Sequence, residues 1–344
     1  MLMIKKLGHG LVLGKFMPLH EGHLHLLHFA NESCHKLTIM VCSQWYEPIP
    51  GDIRHSWMKQ MFPNANVVHQ YEPIQQEPTD DKDEKFWLEW KQAIQRHCIP
   101  SDFDAVFGSE DYGWKLAKTL GCDYVPVDRL REMVPTSGTA IRENPMGNWP
   151  YIPIVCRPYF VKRFAVLGPE SSGKSTLVTA LGEAFNTIAV HEYARPYFDE
   201  MVRAGMRAPG EFTVEDLSNV ARGQRVAEES LAFRANRVMF VDTDSLTTKI
   251  WMNHLYPGLH LPWLEQDALE RKYDYSFVLD PRDVPYEAQD QRVMKDINER
   301  VAFKQNIVIE LEKAKRPFII LRGSFEAKVK TVTEMIEKFI NGVF

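Results

Sequence analysis

Two glycine-punctuated segments constrain the fold of this chain more than any other feature. Gly14-Lys15-Phe16-Met17-Pro18-Leu19-His20-Glu21-Gly22-His23 follows the apolar run Leu11-Val12-Leu13, and Gly168-Pro169-Glu170-Ser171-Ser172-Gly173-Lys174-Ser175 follows the expected strand 161–167, apolar from Phe164 to Leu167. Residues at helical spacing come next in both places, over 21–31 and 176–185. An apolar strand that turns through glycines into a helix opens a β-α unit, and such units build parallel sheets. The second segment also has the full G-x-x-x-x-G-K-S spacing of a P-loop, whose backbone N–H groups cradle phosphate. An α/β chain with two parallel-sheet domains is expected.

The rest of the chain agrees. Short apolar strands are predicted over 37–42, from 67 onward, over 104–107, 124–127, 187–190 and 238–241, and helices over 52–61 and 86–97. Residues 78–85 are polar and acidic and read as a solvated loop. Pro145, Gly147, Pro150, Pro153 and Pro158 crowd one stretch and break regular structure there. It places the domain boundary, giving domains 1–152 and 153–344. A length of 344 residues suits two domains.

The net charge of -5 gives no basic stripe for nucleic acid, and no apolar run reaches membrane-span length. Lys5 and Lys6 break the N-terminal apolar stretch too soon for a signal peptide. Five scattered cysteines form no C-x-x-C pair, so neither a disulfide nor a zinc site is expected, and a cytoplasmic location is.

The first segment puts a helix start, with its free N–H groups and dipole, beside His20 and His23. Three residues apart, the imidazoles can face one site and donate hydrogen bonds to phosphate oxygens as these gain charge. Thr136-Ser137-Gly138-Thr139-Ala140-Ile141-Arg142 offers a hydroxyl at a helix start, Ser137, which caps or binds phosphate, and a planar guanidinium, Arg142. Gly108-Ser109-Glu110-Asp111-Tyr112-Gly113 follows a strand, where loops line ligand crevices. Trp87 and Trp90 are three apart on a helix, a spacing that fits core packing as well as a clamp on a planar ring.

In the second domain Lys174 would neutralise phosphate oxygens and Ser175 would ligate Mg²⁺. Val238-Met239-Phe240-Val241-Asp242 is an apolar strand ending in acid, which makes Asp242 the first candidate for a Mg²⁺ carboxylate. His191-Glu192-Tyr193-Ala194-Arg195 follows a strand; Glu192 can accept a hydroxyl proton or hold ribose hydroxyls, and Arg195 can bind phosphate, unless the two form a surface ion pair. Residues 283–292, followed by Arg300, read either as a lid carrying an arginine to a phosphate or as a charged surface helix. Of the aromatic residues Trp251, Tyr256, Trp263 and Tyr273, most should be core and one or two can stack on a base.

The first segment matches the G-x-F-x-P-x-H-x-G-H pattern of nucleotidylyl transferases, and 136–142 resembles their S-x-T-x-x-R signature. Residues 108–113 resemble the S-E-x-Y-G segment of nicotinamide mononucleotide adenylyltransferases. With 168–175, 192–195 and 241–248, the chain resembles the bifunctional NadR-type enzymes from Gly14 to its C-terminal helix. The resemblance implies a Rossmann-like transferase domain and a P-loop kinase domain, using ATP and Mg²⁺. The kinase would phosphorylate the 5′-hydroxyl of nicotinamide riboside, and the transferase would adenylylate the product to NAD and pyrophosphate.

It also implies site residues. Gly14, Lys15, Phe16, His20, His23, Ser137, Thr139 and Arg142 would bind ATP in the first domain, and Trp87, Ser109, Glu110 and Tyr112 the mononucleotide. Gly168, Ser171, Ser172, Gly173, Lys174, Ser175, Thr176 and Arg292 would bind ATP in the second. Glu192, Tyr193, Arg195, Asp242, Trp251 and Tyr273 would hold the riboside. The catalytic set would be His20, His23, Arg142, Lys174, Glu192 and Asp242.

Some members of that family begin with a helix-turn-helix, which the residues before Gly14 are too few to form, so no repressor function is expected. The expected partners are small molecules, with neither nucleic acid nor membrane, and a homo-oligomer is left open. Two other readings remain. One is a phosphopantetheine adenylyltransferase fused to a dephospho-coenzyme A kinase, against which His20 stands where that transferase often has Thr. The other is a nucleotide sensor with an inactive site.

Overall fold

The computed structural model describes residues 6–76, 78–79, 83–98, 102–288 and 292–342. It divides into two units, Met1–Cys156 and Arg157–Phe344. The prolines place the boundary after residue 152, but the chain stays with the first unit for longer. Trp149–Tyr151 and Ile154–Cys156 wind into short 3-10 turns, and the Cys156 thiol lies 3.7 Å from the Leu19 carbonyl. Proline forbids a regular helix here, yet Trp149, Ile152 and Cys156 are still buried.

The first unit is a five-stranded parallel sheet in the order β3-β2-β1-β4-β5. Its strands are β1 (Leu7–Gly14), β2 (Cys34–Cys42), β3 (Asn66–Gln70), β4 (Ala105–Gly108) and β5 (Asp123–Pro126). The helices are α1 (Glu21–Ser33), α2 (Gly51–Met61), α3 (Glu84–His97), α4 (Gly113–Leu120) and α5 (Gly138–Glu143). β2 is buried from Leu37 to Cys42, which is why it reads as a continuous apolar run rather than an alternating one. Phe86, Trp87, Trp90, Ala93 and Ile94 form one face of α3, and that face packs on Leu11, Met40 and Val106 of the sheet. Asp83 caps α3 by accepting the Phe86 N–H at 3.1 Å. The strand order reverses at β1 and β4, so the loops after these strands frame a crevice.

The second unit has the parallel order β10-β9-β6-β8-β7. Its strands are β6 (Lys162–Leu167), β7 (Ala189–Val190), β8 (Val238–Asp242), β9 (Tyr275–Leu279) and β10 (Phe318–Leu321). The helices are α6 (Arg157–Phe160), α7 (Lys174–Ala184), α8 (Ala194–Arg203), α9 (Val214–Ala232), α10 (Ser245–Leu255), α11 (Pro262–Glu270), α12 (Ile297–Lys313) and α13 (Phe325–Ile340). Phe164, Val166, Phe240, Phe277 and Leu321 pack with Leu177 and Leu181 of α7 and Val332 and Ile336 of α13.

The run 187–190 yields only a two-residue strand. Thr187 lies outside it, its hydroxyl donating to the Val238 carbonyl and accepting the Asn236 N–H at 2.8 Å. Residues 284–288 and 292–295 are not helical, so the surface-helix reading of that stretch is not met among the described residues. Residues 80–82 of the acidic loop and 289–291 of the lid stretch lie outside the described residues. No helix among the described residues is long and apolar enough to cross a membrane.

Candidate active sites

The first site forms where β1 runs into α1. His20 is the N-cap of α1, and its Nδ1 accepts the His23 N–H at 3.3 Å. An Nδ1 that accepts carries no proton, so the neutral ring bears its hydrogen on Nε2 and keeps that atom as a donor. The two imidazoles stack with centroids 3.6 Å apart. Burial, and then the Arg131 guanidinium, pushes His20 down to about 4. Burial, with His20 and Arg131 adding to it, holds His23 well below the usual value. Both rings are therefore neutral donors at pH 7 rather than fixed cations.

Arg142 comes to this turn from far along the chain. Its Nη1 donates to the Met17 carbonyl at 2.5 Å and its Nη2 to the Thr139 hydroxyl at 3.1 Å. The approach needs Gly138, because a Cβ there would lie 2.6 Å from the Met17 carbonyl oxygen. Ser137 spends its hydroxyl oxygen as the cap of α5, accepting the Ala140 N–H at 3.1 Å.

Sequence reasoning missed the support beneath Lys15. Arg54 of α2 is 0% exposed; it donates to the Lys15 carbonyl at 2.5 Å, to the Cys42 carbonyl at 3.2 Å and to the Glu47 carboxylate at 2.5 Å. Glu47 also lies 3.4 Å from the Lys15 ammonium. The available signal was an arginine on the same face as Trp57 and Met58, because a cation on a buried stripe must be paired.

The segment 108–113 is clipped by Tyr124, whose hydroxyl donates toward the Gly108 and Glu110 carbonyls at 3.0 and 2.8 Å. Ser109 donates to the Val127 carbonyl at 2.7 Å, and Glu110 pairs with Arg131 at 3.1 Å. Burial raises the Tyr112 phenol, with the Cys42 thiol the next cause, although its ring is partly exposed. Trp87 is 7% exposed within the α3 core, with a buried Nε1 that has no hydrogen-bond partner.

The second site is a cavity of about 1070 Å³ at the carboxyl ends of β6 and β8. The register pairs Val166 with Asp242, which sets the end of β8 beside the P-loop. Gly173 at φ 86° and Ser171 at φ 54° bend the loop so that its N–H groups face inward. Lys174 lies with its ammonium 3.1 Å from the Pro169 carbonyl, and the Ser175 hydroxyl donates to Asp242 at 2.5 Å.

Glu192 lines the cavity. Its carboxyl is raised by burial, opposed by Lys174 and reinforced by the nearby Asp242. Gln224, unforeseen in the sequence, sets that proximity. It accepts the Tyr193 N–H at 2.8 Å and directs its amide toward the Asp242 carbonyl at 3.4 Å. Gly168, Ser171, Ser172, Thr176, Arg195 and Trp251 also line the cavity, joined by the unforeseen Phe198 and Asp199 and by Thr247, Thr248 and Tyr286 from the stretches 241–248 and 283–292. Arg292 reaches the P-loop, with Nη1 3.3 Å from the Ser171 hydroxyl, and Glu170 accepts the Met294 N–H at 2.9 Å.

Two of the aromatic assignments are corrected. Tyr273 does not line the cavity: it is buried, its hydroxyl 2.9 Å from both Glu228 oxygens and its ring 4.8 Å under Arg316. Tyr193 contributes its backbone N–H to Gln224, and its ring packs against Gly223 outside the lining. Aromatic composition alone does not separate a cavity wall from a structural network.

Residues 163–328 match the family model described as an AAA domain. The chain is 30% identical over 320 residues to the Trifunctional NAD biosynthesis/regulator protein NadR of Escherichia coli (strain K12), covering 88% of this chain and 75% of that one. It is also 30% identical over 351 residues to the Salmonella typhimurium protein of the same name, covering 95% and 83%. The chain belongs to the NadR family. The expected resemblance is thus met over most of its length. The fold is that of solved NadR proteins. One, in complex with NAD and AMP-PNP, aligns at TM-score 0.74 with 20% identity over 97% of this chain and 96% of that one. Another, in complex with NR, aligns at 0.72 with 22% identity over 93% and 90%.

Proposed function

We propose that this chain makes NAD from nicotinamide riboside in two ATP-dependent transfers, one in each unit. The observation that carries the reading is that a NadR-family chain has at each of two phosphate-type turns a set of polar groups suited to the chemistry: the donors His20, His23 and Arg142 at one, and the donors Lys174 and Ser175 with the carboxyl groups of Glu192 and Asp242 at the other.

In the second unit the riboside 5′-hydroxyl oxygen attacks the γ-phosphorus of ATP. The bond from the γ-phosphorus to the β,γ-bridging oxygen breaks, ADP leaves, and Glu192 takes the hydroxyl proton. A carboxylate with a raised pKa is the better proton acceptor, which is what burial beside Asp242 provides. Ser175 and Asp242 are adjacent hard oxygen donors next to the P-loop, a set that suits Mg²⁺. They would hold the ion where it neutralises phosphate oxygens.

In the first unit a phosphate oxygen of nicotinamide mononucleotide attacks the α-phosphorus of a second ATP, and pyrophosphate leaves. No proton has to move. The work is positioning and charge stabilisation, done by the neutral imidazole donors, the start of α1 and the Arg142 fork. A reducing, cytoplasmic setting fits the five free cysteines.

The direct test incubates the chain with nicotinamide riboside, ATP and Mg²⁺ and resolves the nucleotides by chromatography. NAD formed by way of nicotinamide mononucleotide is the expected outcome. Turnover of phosphopantetheine in place of the riboside would overturn the assignment.

A further inference from the structure

Arg300 lies in the first turn of α12 and is 4% exposed. Its Nε and Nη1 are buried without a hydrogen-bond partner. The guanidinium lies 4.9 Å over the ring of Tyr286, whose hydroxyl is likewise buried and unpartnered, and Tyr286 lines the second cavity. Other buried cations of this unit are paired. Lys304 meets Asp280 at 2.8 Å, Lys328 meets Asp283 at 2.9 Å, and Arg316 meets Asp244. Arg292, expected from the sequence to touch ATP, is already engaged by Ser171 and Glu287.

A buried guanidinium without an anion is costly, and an aromatic face compensates only part of that cost. Such a group is retained where a ligand supplies the counter-charge. The anion that fits this cavity is the polyphosphate held by the P-loop, and a planar fork suits two oxygens of one phosphoryl group.

We propose that Arg300, rather than Arg292, is the arginine that contacts the transferring phosphoryl group, reaching it past the Tyr286 ring, which lines the cavity and on which its guanidinium is stacked. The proposal rests on the kinase reading of this cavity. It assigns Arg300 to the transition state and leaves Arg292 to fasten residues 287 and 292 to the P-loop.

The test uses the full chain and two assays: phosphorylation of nicotinamide riboside, and adenylylation of supplied nicotinamide mononucleotide as a control for integrity. Arg300→Met should lower kcat for phosphorylation by roughly 10³-fold, the scale of an arginine that stabilises phosphoryl transfer. KM for the riboside should stay within about threefold and adenylylation should be unchanged. Arg300→Lys should recover only part of the loss, because an ammonium lacks the fork.

The second readout is the melting temperature without nucleotide, which should hold or rise, because an uncompensated buried charge has been removed. A structural pin behaves oppositely: a fall of more than about 4 °C, with kcat and KM failing together, would overturn the assignment. So would an Arg300→Met chain that phosphorylates at nearly the wild-type rate. A wild-type chain that adenylylates but phosphorylates no riboside would overturn the kinase reading itself, and this assignment with it.

Discussion

His20 holds two roles in one ring, and they separate with pH. Folding depresses its pKa from 6.5 to about 4, so the unfolded chain binds the extra proton between those values. The stability associated with the neutral ring is therefore complete above pH 6.5 and lost as the pH falls toward 4. A shift of that size corresponds to about 3 kcal/mol. His23 acts in the same direction. Fluorescence melts at pH 7 and pH 5 should show the loss, and they report mainly on the first unit, since six tryptophans (Trp45, Trp57, Trp87, Trp90, Trp114 and Trp149) precede residue 157 and two (Trp251 and Trp263) follow it. His20→Asn, which keeps a capping side chain, should flatten the dependence and lower adenylylation by about 10²-fold or more. Glu192 gives a different limb. As a base it must be ionised, and its pKa is raised, so phosphorylation should decline with falling pH above the ordinary carboxylate range. Glu192→Gln should lower kcat by roughly 10²–10⁴-fold and abolish that limb in the pH–rate profile.

At the level of elements, α5 and the turn after β1 form one device through Gly138. Gly138→Ala should push α5 off the Met17 carbonyl and raise KM for ATP in adenylylation, leaving phosphorylation unchanged; unaltered kinetics would show that the turn adapts. In the second unit Phe164→Ala should cost about 3–5 kcal/mol, read by denaturant unfolding, because it empties the layer between the sheet and α13. The sequence made legible the elements that open on a phosphate turn or carry a long periodic face, β1, β2, β6, β8, α1, α3 and α7, and also the shorter β3, β4, β5, β7 and α2. β9 and β10 were not read, since Tyr275–Leu279 and Phe318–Leu321 are short apolar runs with no motif beside them. Residue types at fixed spacing brought Ser175 and Asp242, or His20 and His23, into view. Gln224 and the Arg54–Glu47 pair were not, because their roles exist only once distant segments meet. The reverse error, Tyr273, has the same origin: its partners Glu228 and Arg316 lie 45 and 43 positions away.

For the whole molecule, the prediction is independence of the two chemistries. Lys174→Ala should abolish conversion of the riboside while leaving adenylylation of supplied mononucleotide intact, and His23→Ala should let mononucleotide accumulate. One assay with chromatographic separation checks both, and loss of both activities from either change would defeat the two-site assignment. Each unit has its own sheet, its own core and its own phosphate site, on either side of the bond between Cys156 and Arg157. That bond supplies no catalytic group. What it does supply is arithmetic: every kinase is made with one transferase, so the capacity of the first step can never be changed by expression without changing the second to match.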